Sequence, residues 1–177
     1  MPQSEIVSFQ PATGEELWRG NICDVDEAVA RARAAFPGWA SRPVANRMEM
    51  MRRFANEVRA AADDFAELIA RETGKPLWEA KTEVEAVINK VEISISAYME
   101  RTGQKKLDSA LGGSAALRHK PHGVMAVLGP YNFPAHLPNG HIVPALIAGN
   151  TVLFKPSEKT PAVGALLVEG IRQSLGR

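Results

Sequence analysis

Two short apolar runs, Val124–Leu128 and Thr151–Phe154, each end in a cluster of turn formers and polar side chains, and together they restrict the possible folds more than any other feature. Both are β-rich and bounded by Gly or Pro, the pattern of buried strands. Between them, Pro138 to Ala148 is long enough for one helix, closed by Gly149-Asn150 as a C-terminal cap pair. Strand, helix and strand at this spacing predict a βαβ unit, whose ligand site lies beyond the carboxyl ends of the strands. Those ends are Gly129-Pro130-Tyr131-Asn132-Phe133-Pro134 and Lys155-Pro156-Ser157-Glu158. An amide, a cation and a carboxylate are therefore expected on one rim.

Upstream, the chain reads as helical. Asp24 with Glu27 three residues later has capping-box character. It opens a stripe of Val25, Ala28, Val29, Ala32, Ala35, Phe36 and Trp39 that Pro37 and Gly38 are expected to end. Pro43 suits the first turn of a second helix reaching about Val58, and a third follows a break near Asp63-Asp64, with Gly74 as its left-handed cap. A fourth carries Val84, Val87, Ile88, Val91, Ile95 and Tyr98 and ends at Gly103. Ala115 to Lys120 alternates like an exposed or edge strand. After the second strand, Thr160 is positioned to cap a helix starting at Pro161, with Val163, Leu166, Leu167 and Ile171 on one face.

The expected division is a helical part over 1–103, an edge strand within 104–122, and a βαβα run with two parallel strands over 123–177, an α/β class. A formal charge of +1 leaves no electrostatic footprint for nucleic acid or an anionic membrane. The lone Cys23 has no internal disulfide partner, and no apolar stretch reaches the roughly 20 residues that span a bilayer. A cytoplasmic protein is expected. His119-x-x-His122 and His136-x-x-x-x-His141 have metal-like spacing, but each contains a proline and lacks a completing Cys, so no metal site is expected.

The residues PYNFP, an apolar helix, GNTV and then KPSE resemble the aldehyde dehydrogenase superfamily, and the similarity extends from the strand-like Ser8–Glu15 to the final helix. The runs ETGKPLWEAKTEVEAVINKVEISISAY and HLPNGHIVPALIAGN resemble a branch acting on a branched, doubly carboxylated semialdehyde of arginine degradation. The resemblance implies a Rossmann-like NAD domain, incomplete here, and oxidation of a small aldehyde to its carboxylate. It also implies a homo-oligomer at full length, with 104–122 as a hairpin arm for assembly.

By motif match, Asn132 donates its side-chain amide to the oxygen that turns negative when a thiol adds to the aldehyde. From Asn-Phe-Pro alone it is a turn residue bonding its own backbone. Lys155 and Glu158 match the pair that holds the cofactor's adenosine ribose, with Pro130, Tyr131, Pro156 and Ser157 around it. A carboxylate there favours NAD over NADP; without the resemblance these are two solvated charges. Phe133, Leu137, Gly140 and His141 match the aldehyde tunnel. Many relatives carry Trp and Lys where this chain has Gly140 and His141, so a wider tunnel follows, and His141 relays protons, bonds a carboxylate or is an ordinary partly buried histidine.

The nucleophilic cysteine and general-base glutamate are expected beyond Arg177, with Cys23 an incidental thiol, so this polypeptide is expected to be inactive by itself. Two parallel strands alone leave apolar faces and backbone edges open. A fragment or truncated product, marginal on its own, is therefore expected. Two alternatives stay open: a dehydrogenase for another semialdehyde, and an inactive helical interaction protein.

Overall fold

The computed structural model describes residues 5–103, 105–108 and 113–176. The chain opens with an antiparallel hairpin of β1 (Glu5–Phe9) and β2 (Glu16–Asn21), whose register shifts between Ser8 and Phe9. The stretch Ser8–Glu15 is thus a strand end and its turn. Four helices follow: α1 (Val25–Ala40), α2 (Val44–Ala60), α3 (Ala62–Thr73) and α4 (Leu77–Thr102). A second hairpin, β3 (Lys105–Asp108) with β4 (Ser114–Leu117), pairs only with itself among the described residues. Gln104 and the segment 109–112 lie outside the described residues. The chain closes with β5 (Val124–Leu128), α5 (His136–Ile147), β6 (Thr151–Lys155) and α6 (Pro161–Ser174).

β5 and β6 are parallel neighbours in the register Val124↔Thr151 to Leu128↔Lys155, so the βαβ unit forms as its pattern predicts. The helix begins two residues earlier than Pro138, because a proline in the first turn has no hydrogen bond to lose. Gly149 takes φ +91, a backbone region that favours glycine, and the guanidinium of Arg47 lies 3.4 Å from where a Cβ would sit. Asn150 then ties the unit together: its Oδ1 accepts from the backbone N–H groups of His122 and Gly123 at 2.6 and 3.0 Å, while its Nδ2 donates to the Ala145 carbonyl.

One core joins the scaffold helices to this unit. Met51 and Phe54 of α2, Ile69 of α3, and Val84, Val87 and Val91 of α4 meet Ile142, Val143 and Ile147 of α5 and Val163 and Leu167 of α6. Helix α5 is apolar nearly all round because it is enclosed, with α4 and α2 packed on it and the strands behind.

Two expectations are corrected. Helix α1 does not stop at Pro37 but runs to Ala40. A proline inside a helix costs about 3 kcal/mol. Tertiary bonds to the last turn offset it, with Trp39 Nε1 donating to the Leu146 carbonyl at 3.0 Å and Arg47 Nη1 to Ala40 at 3.4 Å. Thr160 does not cap α6 through its side chain, and its hydroxyl is buried without a partner. The amides of Ala162 and Val163 donate instead to the two carboxyl oxygens of Glu72, at 2.9 and 2.8 Å.

Outside the core, α1, β6 and α6 border an open apolar cleft of about 290 Å³ lined by Ala32, Trp39, Leu146, Val152, Phe154 and Val168. Neither outer edge of the β5–β6 pair is bonded to a further strand among the described residues, and Leu128 is 75% exposed. No helix of the described residues is long and apolar enough to cross a membrane.

Candidate functional site

The carboxyl ends of β5 and β6 lie side by side, since Leu128 pairs with Lys155 and the Gly129 amide donates to the Lys155 carbonyl at 2.9 Å. The two loops that leave these ends are therefore neighbours, and Lys159 of the second places its ammonium 4.9 Å from the ring centroid of Tyr131 in the first. Tyr131 and Asn132 are exposed at the rim; Pro130 and Phe133 are half-buried.

In the second loop, Lys155 Nζ contacts Glu158 Oε2 at 3.1 Å, with both side chains about two-thirds exposed. The Glu158 carboxyl is held below its usual range, first by its own backbone N–H and then by Lys155. An exposed pair like this adds little to folding. It leaves a preoriented cation and anion facing solvent. Pro156 is half-buried and Ser157 buried, and Pro156 packs so closely on α6 that a Cβ at Gly164 would lie 2.5 Å from its ring. The second loop is thereby pressed onto α6, which fixes where its exposed charges stand.

The first loop is held by residues that pattern reading does not single out. Glu83 of α4 is fully buried; its Oε1 accepts from the Ala135 and His136 amides at 2.9 and 3.1 Å, capping α5, and its Oε2 takes Lys75 Nζ at 2.9 Å. The same ammonium donates to the Asn132 carbonyl at 2.7 Å and lies 4.2 Å from the Phe133 ring centroid. Lys75 sits in the GKP turn after α3, where its proline and glycine signal only a helix end. Nothing in the spacing ties it to a loop 57 residues away.

Along α5, Leu137 and His141 are exposed while Gly140 is half-buried. The space beside Gly140 is approached by Lys90 of α4, whose Cε and Nζ lie 3.6 and 4.0 Å from an ideal Cβ there. No ion-pair partner for Lys90 occurs among the described residues. His136, one turn earlier, meets Phe133 edge to face at 6.5 Å. Cys23 is exposed just before α1.

Comparison with known proteins fits this arrangement. The model of the Aldehyde dehydrogenase family matches residues 1–175. The chain belongs to that family. Family relatives include a protein of Novosphingobium aromaticivorans, named N-succinylglutamate 5-semialdehyde dehydrogenase, which is 72% identical over 169 residues, or 96% of this chain and 36% of that protein. A Sphingopyxis alaskensis protein of the same name is 68% identical over 93% of this chain and 34% of its own. The chain thus spans about a third of the length of these curated relatives. Among solved structures of the fold, an aldehyde dehydrogenase from Brucella melitensis biovar abortus superposes with a TM-score of 0.90 at 28% identity, over 96% of this chain and 36% of that one. An NADP-dependent glyceraldehyde-3-phosphate dehydrogenase from Bacillus halodurans, complexed with NADP, gives 0.90 at 27% identity over 98% and 38%.

Proposed function

We propose that this chain supplies the oxyanion donor and the cofactor ribose site of an NAD-dependent N-succinylglutamate 5-semialdehyde dehydrogenase. The observation that carries this reading is the neighbouring placement of the Asn132 loop and the Lys155–Glu158 pair at the carboxyl ends of β5 and β6. Its substrate assignment is supported by relatives of that name at 72% and 68% identity.

Asn132 donates its amide to the aldehyde oxygen as negative charge builds there, and one such donor is worth roughly 3–4 kcal/mol of transition-state stabilisation. Lys155 and Glu158 hold the adenosine ribose, beside Pro130, Tyr131, Pro156 and Ser157. The exposed Glu158 carboxylate accepts from a 2′-hydroxyl and repels a 2′-phosphate, which is why NAD is preferred. The cofactor, when bound, supplies the hydride acceptor.

Phe133, Leu137, Gly140 and His141 line the approach for the aldehyde. The missing side chain at Gly140 leaves room for the Lys90 ammonium, and its chemistry suits a substrate carboxylate. The β3–β4 hairpin of the 104–122 arm, bonded only to itself among the described residues, joins subunits. Measuring kcat/KM for the semialdehydes of succinylglutamate, succinate and glutamate on the full-length enzyme tests the assignment. Succinylglutamate semialdehyde is expected to lead by at least about tenfold, and a lead by either of the others would refute it.

A further inference from the structure

We infer that Lys75, clamped by Glu83, is the positioning residue that fixes where the Asn132 amide points; the inference rests on the role given to Asn132 above. Asn132 is exposed in a loop between β5 and α5, and a loop of that kind needs an anchor if one of its side chains is to meet a reacting oxygen in a single geometry. Lys75 Nζ, on the Asn132 carbonyl at 2.7 Å, provides it. The ammonium also lies over Phe133, so two successive residues of the loop are held by one group.

That group is itself immobilised. The Lys75 side chain is 9% exposed and that of Glu83 is 0% exposed. Glu83 spends one oxygen on Lys75 and the other on the Ala135 and His136 amides, so a single carboxylate fixes both the upstream and downstream ends of the segment from Asn132 to His136. Glu79 adds a second, longer ionic contact to Lys75 at 3.7 Å. A buried ion pair is a poor source of net stability because desolvation cancels most of its attraction. Its hydrogen bonds nevertheless allow only one arrangement, and a site that must preorganise a donor requires that.

The test is steady-state and binding measurement on the full-length enzyme. Lys75→Met is expected to lower kcat about 30- to 100-fold while changing KM for the aldehyde and Kd for NAD by less than about threefold. Asn132→Ala is expected to lower kcat by roughly 10²–10³-fold. The double variant should be no slower than Asn132→Ala within about threefold, because both changes remove one function. Lys75→Arg, which keeps the charge and a donor, should recover part of the loss. Multiplying effects in the double variant, or an unchanged kcat in Lys75→Met beside a slow Asn132→Ala, would overturn the inference. A full-speed Asn132→Ala would instead overturn the reading of Asn132 itself, and this inference with it. Should Lys75→Met not fold, Glu83→Gln keeps one acceptor for the α5 amides but loosens Lys75. Its kcat should fall about 3- to 30-fold, and an unchanged value rejects the idea.

Discussion

Glu72 is expected to hold the start of α6 in place. Its two carboxyl oxygens receive the Ala162 and Val163 amides at 2.9 and 2.8 Å, and all three residues are at most 4% exposed. Glu72→Ala leaves two buried donors without acceptors and without access to water. Each unpaired donor costs about 1–3 kcal/mol, partly offset because a carboxylate no longer has to be buried, so a net loss of about 3 kcal/mol follows. A loss of that size corresponds to roughly a hundredfold in a local opening constant. Hydrogen exchange in the full-length protein, read at the 162 and 163 amides, should therefore quicken about a hundredfold with little change in α2. Acceleration below about threefold at those amides would refute the reasoning. Burial pushes the Glu72 carboxyl above its ordinary 4.5. Protonation therefore favours the folded form: this contribution is fully present below about pH 4.5 and declines as pH rises through the folded value. Glu72→Gln, which cannot ionise, should remove that part of the slope of stability against pH.

Four further outcomes concern the ligands. Glu158→Gln should narrow the preference for NAD over NADP by about 10- to 100-fold in kcat/KM, since it removes a charge–hydroxyl bond and a repulsion together. Because the Glu158 carboxyl lies below its usual 4.5, its part of the NAD affinity should be flat from pH 6 to 9 and fade only below about pH 4.5; a midpoint near neutrality would contradict the role. Lys90→Met should raise KM for the dicarboxylated semialdehyde about tenfold while sparing an uncharged aldehyde, and Gly140→Trp should depress turnover of the larger substrate selectively. Equal effects on both aldehydes would refute the carboxylate contact.

Local pattern carried much of this fold. The strand runs of β5 and β6, the Asp24 cap accepting from the Glu27 amide, and the left-handed Gly74 all depend on residues within a few positions of one another, where periodicity and turn chemistry act. The start of α6 was not legible. Thr160 is a natural cap by position, but Glu72, 90 residues away from Ala162, fits both amides once α3 packs on α6. Lys75 and Glu83 were hidden for the same reason. A lysine in a helix-ending turn and a glutamate in a helix rich in them look solvated until tertiary packing excludes water around them. Pro37 misled because the last turn of α1 is anchored from outside itself, by Leu146, which accepts from Trp39, and by Arg47, which donates to Ala40.

The long reach of the two glutamate caps has a consequence for the order of folding. The first turns of α5 and α6 lack a side-chain cap of their own and rely on acceptors made 52 and 90 residues earlier in the chain. During synthesis those acceptors emerge first, on helices whose contacts are largely near neighbours and form quickly. The parallel strands, slow to pair because their ends must be brought together across a crossover, then arrive at a surface that already displays the carboxylates their helices need. Assembly from the amino end forward is thus favoured by where the acids sit, and a circular permutant that released residues 123–176 before 62–102 should fold markedly more slowly than the natural order.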